Sequence, residues 1–170
     1  MSRIHVCPLA LIDETVEESG ARSMVTLLNP GPPFARPPAI AAERHLLIAV
    51  SDIVEDTPGQ ILPAPAHVRQ LLDFVADWDR GAPLLIHCFA GVSRSTAAAF
   101  ISACALAPRR DEREIARALR AASPTATPNS LLIALADATL RRAGRMTRAI
   151  EQIGRGEACF EGMPFALEIE

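Results

Sequence analysis

Residues 83–107 read PLLIHCFAGVSRSTAAAFISACALA, and this stretch decides the fold. Leu84, Leu85 and Ile86 form a short apolar run of the kind that becomes a buried strand. Thr96 to Ala107 is almost wholly apolar or small and predicts a buried helix. Between them lies HCFAGVSRS, residues 87–95, which carries a thiol, an arginine and a glycine. A strand followed at once by a helix is the unit of a parallel sheet, and such sheets bind ligands beyond the carboxyl ends of their strands. The turn at 87–95 therefore stands where an open α/β sheet puts its ligand. A helix start offers free N–H groups and a partial positive charge. A glycine-bearing loop adds inward amides that form an anion nest. An anion site follows from position alone.

The flanking sequence supports this reading. Ile4–Leu9, Ser23–Leu28, Leu46–Val50 and Ala82–His87 are predicted strands. Leu11–Ala21 is a short acidic helix stopped near Gly20. Residues 29–38, NPGPPFARPP, are a loop by their proline and glycine content. Val68, Leu71, Leu72, Val75 and Trp78 recur at helical spacing and predict a helix over 66–79, with Trp78 in the core. Helices are expected at 95–106, 111–121 and 129–153, with Asp111 and Asn129 as caps. The tail EACFEGMPFALEIE is partly apolar and suits packing back on the domain. The fold class is α/β: a central, mostly parallel sheet of about four strands flanked by helices. Residues 1–170 are read as one domain, a size that buries a full core.

Composition narrows the function. Hydrophobic residues make up 49% and charged residues 22%, as in soluble globular proteins. The net charge of −3 argues against a nucleic-acid partner. The start of the chain lacks a signal-peptide core, and no apolar run is long enough to cross a membrane. A cytoplasmic protein without membrane association is expected. Cysteines 7, 88, 104 and 159 are far apart, which fits neither a zinc site nor a disulfide framework, so no metal and no cofactor are expected.

Within the turn, each residue has a chemical use. Cys88 opens the nest, where amides, helix dipole and Arg94 favour its thiolate. The planar fork of Arg94 can grip two oxygens of a phosphoryl group. Ser95 stands close enough to hydrogen-bond the sulfur, and His87 close enough to bond nearby backbone. HCFAGVSRS resembles the HCxxGxxR[ST] signature of the cysteine-based protein tyrosine phosphatases, matching at His87, Cys88, Gly91, Arg94 and Ser95. LLIAVSDIVED, HVRQLLDFVADW and TPNSLLIALADATL resemble the acid loop, a helix and the late PN helix of the small dual-specificity members. The likeness spans roughly residues 4–150.

The resemblance implies a phosphotyrosine-phosphatase-like fold and covalent catalysis. Cys88 would attack phosphorus to give a phosphocysteine. Arg94 and the amides of Phe89, Ala90, Gly91, Val92, Ser93 and Arg94 would hold the phosphoryl oxygens. Ser95 would help expel the thiolate, and an aspartate on a separate loop would serve as acid and then base. Asp52, 36 positions before Cys88, is the first candidate, with Asp56 and Glu55 on the same loop. The loop interior carries no lysine, which disfavours highly phosphorylated lipids. The chain has no tyrosine, so a shallow pocket of the dual-specificity kind is expected, with Phe34 or Phe89 available to line it. The substrate is a phosphorylated protein or a small phosphomonoester. A non-catalytic phosphate-binding module and a phosphatase for a metabolite, nucleotide or RNA end stay open as alternatives. Cys104 or Cys7 could protect Cys88 as a disulfide under oxidation. The sequence does not fix the oligomeric state.

Overall fold

The computed structural model describes residues 2–170. Five strands form one sheet: β1 (Arg3–Pro8), β2 (Ser23–Leu28), β3 (His45–Ala49), β4 (Leu84–Cys88) and β5 (Phe165–Glu168). Their spatial order is β3-β2-β4-β1-β5. The first four run parallel, and β5 pairs antiparallel to β1. Six helices pack around them: α1 (Ile12–Ser19), α2 (Pro65–Asp77), α3 (Arg94–Leu106), α4 (Glu112–Ala122), α5 (Ser130–Thr139) and α6 (Arg145–Ile153). Among the described residues, no helix is long and apolar enough to cross a membrane.

All five residues of β4 are buried, because helices cover both faces of the sheet. Alternation along the strand divides them. Leu84, Ile86 and Cys88 enter the larger core beside α3, whereas Leu85 joins Cys7, Met24 and Ile40 under α1. His87 shares the face of Leu85 and Cys88 takes the other. This division separates the two residues' tasks. Helix α3 is buried along nearly its whole length, from Arg94 to Cys104. It is the rigid mount expected behind the turn. Trp78 is buried as expected, and its indole N–H donates to the carbonyl of Ala82 at 3.0 Å.

Two features depart from the sequence reading. The tail supplies a fifth strand, and the helix expected over 129–153 is two helices. The chain turns at residues 140–144, where Arg141, Ala143 and Gly144 have positive φ. The buried carboxylate of Asp137 accepts from the amides of Gly144, Met146 and Thr147 at 2.7, 2.7 and 3.2 Å. It thus satisfies the orphan donors of α6 from the last turn of α5. Asp137→Ala is expected to lower unfolding free energy by about 2 kcal/mol, since three buried donors lose their acceptor. Chemical denaturation measures it, and a variant as stable as wild type would contradict the assignment.

Candidate active site

The parallel strands end level with one another, Pro8 opposite Cys88 and Leu28 opposite Ala49. Their four carboxyl-terminal loops therefore meet at residues 88–95. Each contributes. The loop after β1 brings Leu9, that after β2 brings Asn29, that after β3 brings Val50 and Asp52, and that after β4 is the turn itself.

The turn is held by its carbonyls. His87 Nδ1 lies 3.2 Å from the carbonyl oxygen of Cys88. The amide of Leu9 donates to Phe89 O at 3.0 Å, that of Gly162 to Ala90 O at 2.8 Å, and that of Thr127 to Val92 O at 2.9 Å. Ser93 O accepts from Ala97 and Asn129 at 3.0 and 3.2 Å. No peptide bond is cis. In a trans peptide the C=O and the following N–H point in opposite directions. Pulling these five carbonyls outward thus turns the amides of Phe89, Ala90, Gly91, Ser93 and Arg94 toward the concave side. That is a phosphate-sized nest at the start of α3.

Gly91 is required by this geometry. It has φ +70°, and a Cβ there would lie 2.7 Å from the backbone nitrogen of Pro8 and 2.9 Å from the carbonyl carbon of Cys7. The loop is seated directly on β1. Gly162, on the segment joining α6 to β5, presses from the outside; a Cβ there would lie 3.0 Å from Gly91 O. The sequence offered no sign of this clamp, because its two halves are some seventy positions apart. Gly162→Ala is expected to lower kcat about tenfold by displacing the loop a few tenths of an ångström. The melting temperature should barely move. Unchanged kcat in a folded variant would show that the strap does not position the loop.

Cys88 and Ser95 are buried, and Sγ of Cys88 lies 3.0 Å from Oγ of Ser95. The guanidinium of Arg94 is also buried. Its Nη1 donates to Asn29 Oδ1 at 2.7 Å and to Val50 O at 2.8 Å, while Nε has no partner. A buried unpaired N–H of a charged group is costly, and an anion in the nest would satisfy it. Asn29 escaped the sequence reading. It sits in a proline-rich turn, where an asparagine reads as turn chemistry.

Among the three acid-loop carboxylates, Asp52 adjoins the turn. Its Oδ1 accepts from Ser93 Oγ at 2.7 Å and from Asn129 Nδ2 at 2.9 Å. Asn129 meanwhile caps α5 through Leu132 N at 3.0 Å, so the helix start also holds the acid loop. Glu55 and Asp56 are exposed. His87 does not face the nest. It is fully buried on the other side of the sheet, and burial holds its pKa down at about 4, so the ring is neutral.

A cleft of about 750 Å³ opens beside Arg94. Its walls include Leu9, Ile12, Leu28, Phe34 and Phe89, and Asp13 is the one other charged lining residue. Phe34 and Phe89 thus both line it. The cysteines expected as redox partners are not available to Cys88. Cys7 is in register with His87, hence on the opposite face of the sheet. Cys104 lies ten residues into α3, about 15 Å along its axis at 1.5 Å per residue. Burial pushes both thiols up to about 12, so they are inert.

No family model matches the chain, and no curated protein matches it. Solved structures do. DUSP15 is similar at 21% identity and a TM-score of 0.59, over 91% of this chain and 94% of its own. Human DUSP28 is similar at 18% identity and a TM-score of 0.60, over 82% and 94%. The Cydia pomonella PTP-2 phosphatase is similar at 18% identity and a TM-score of 0.63, over 79% and 84%. What the chain shares with them is the fold, that of the dual-specificity and related tyrosine phosphatases.

Proposed function

We propose that this protein hydrolyses phosphate monoesters through a phosphocysteine intermediate, as a protein tyrosine or dual-specificity phosphatase. The observation that carries the reading is the joint burial of Cys88, Ser95 and an Arg94 with an unpartnered Nε around one ring of inward amides. A thiol at a strand end is usually a small core residue. One surrounded by anion-binding groups has a different use.

In the first step the Cys88 thiolate attacks phosphorus in line, and the bond from phosphorus to the ester oxygen breaks. Asp52 gives that oxygen a proton as it leaves. The amides and Arg94 hold the three equatorial oxygens as their charge redistributes. In the second step Asp52 takes a proton from water, whose oxygen attacks phosphorus. The S–P bond breaks with its electron pair returning to sulfur, and the Ser95 hydroxyl stabilises the departing thiolate. Asp52 ends protonated, ready for another cycle.

The apolar cleft supports an alcohol with a large apolar face, such as a phosphotyrosine ring. Its lining offers little to the hydroxyls of a sugar or the further phosphates of a nucleotide. Acid-quenched turnover of an aryl phosphate, with Cys88 found phosphorylated by mass spectrometry, is the test. Binding of phosphate analogues without turnover would sink the reading and leave a phosphate-binding module.

For Asp52→Asn, kcat on phenyl phosphate is expected to fall about hundredfold. The alkaline limb of the pH–rate profile should vanish, because the acid must be protonated to act. The loss should shrink with a nitrophenyl ester, whose leaving oxygen needs no proton. Asp56→Asn should retain the wild-type profile. The reverse pattern would move the acid to Asp56.

A further inference from the structure

Behind the sheet face that carries Cys88 lies a hydrogen-bonded chain that the steps above do not use. Thr26 Oγ1 is 2.7 Å from His87 Nε2 and 2.8 Å from His45 Nε2. Thr26 and His87 are fully buried, and His45 is half-buried on the edge strand β3. Phe34 stacks on His87 with centroids 5.3 Å apart and tilts against His45 at 5.6 Å. The register of the sheet makes the contact, for Thr26 stands directly opposite His87.

Proton counting gives this chain a direction. The carbonyl of Cys88 can only accept, so His87 Nδ1 must carry the hydrogen of that bond. A neutral His87 then presents a lone pair at Nε2. Thr26 has one hydrogen and must give it to that lone pair. Its oxygen is left to accept, which requires an N–H at Nε2 of His45. A protonated His87 would leave the Thr26 hydroxyl hydrogen without an acceptor, so the arrangement also keeps the ring neutral.

We propose that His45 and Thr26 are positioning residues for the thiol site, acting as a relay that fixes the tautomer of His87. The relay runs His45 Nε2–H to Thr26 Oγ1, Thr26 O–H to His87 Nε2, and His87 Nδ1–H to Cys88 O. Its output is the Cys88–Phe89 peptide. With that carbonyl tied back, the Phe89 amide faces the anion. Without the relay the imidazole can adopt the other tautomer, which presents a lone pair to Cys88 O and repels it. One end of the relay sits beneath Phe34, which also walls the cleft, so the cleft wall and the peptide plane at the nucleophile share a support.

The kinetic arm rests on the phosphatase reading; two other arms do not. Nitrogen-15 NMR of the imidazoles is expected to show His87 protonated at Nδ1 and His45 at Nε2. Alkylation of Cys88 by iodoacetamide at mildly acidic pH, followed on its peptide, reads the thiolate. In Thr26→Val it should slow about fivefold, and kcat should fall about tenfold with KM changed less, as one buried hydrogen bond is lost. Thr26→Ser should restore both. At the half-buried position, His45→Phe should slow alkylation about threefold, and His45→Gln, which keeps a donor, should restore it. His87 found protonated at Nε2 overturns the proposal, as does wild-type alkylation in His45→Phe. Should Thr26→Val not fold, the His45 pair and the NMR decide. The expected tautomers and alkylation without any turnover would uphold the relay and refute the phosphatase reading instead.

Discussion

Cys88→Ser is expected to lower turnover of aryl phosphates by at least about 10⁴-fold, because the nucleophile of the covalent route is gone. The exchange is nearly isosteric. The new hydroxyl would sit in the place now held by a sulfur 3.0 Å from Ser95, with the amides and Arg94 untouched. A serine hydroxyl does not ionise there, and no neighbouring group is placed to take its proton. His87, the adjacent imidazole, is on the far side of the sheet with both nitrogens engaged. Anion binding should survive, since it depends on groups the change does not reach. The variant should therefore hold phosphopeptides that wild type consumes, and calorimetry with phosphotyrosine and phosphoserine peptides, inositol phosphates and nucleotides would define the substrate class. If Cys88→Ser keeps even a hundredth of wild-type turnover, the chemistry does not pass through this sulfur.

What could be read from the chain was what is local in it. HCFAGVSRS contains its own strand end, its glycine and its helix start, so the nest, the nucleophile and the arginine are legible together. Asp52 was readable because an acid just past a strand lands at the same sheet edge. The groups that hold these residues were not readable. Asn29 and the carbonyl of Val50 reach Arg94 only because β2 and β3 end level, which is a matter of register. Thr26 meets His87 for the same reason. Gly162 arrives on a segment whose course is set by β5, a strand of four residues in a tail whose pattern is too short to declare a period. The break at residues 140–144 turned on a buried aspartate whose three acceptances no helical pattern announces. Helix propensity favoured continuation there, and tertiary hydrogen bonding overrode it.

Arg94→Lys is expected to lower kcat about a thousandfold on the same aryl ester, near the upper range for losing a transition-state donor. The charge is conserved, so a weaker effect would follow if charge alone mattered. The structure indicates that geometry matters more. Nη1 is already committed to Asn29 and Val50, which fixes the plane of the guanidinium and leaves Nε aimed with no partner. A planar fork anchored at one corner presents its remaining N–H groups in a fixed direction. An ammonium on a flexible stem can satisfy Asn29 and Val50 or reach the phosphoryl oxygens, but its three donors radiate from one atom and cannot do both in the same plane. The loss should fall mostly on kcat, because the equatorial oxygens flatten toward the fork as the bond to the leaving oxygen breaks. Asn29→Ala supplies the control. It frees one hydrogen bond and leaves the guanidinium, so it should cost about tenfold, the worth of a charged donor's buried acceptor. If Arg94→Lys costs no more than Asn29→Ala, the fixed fork is not what stabilises the transition state, and the amides of the turn carry that task alone.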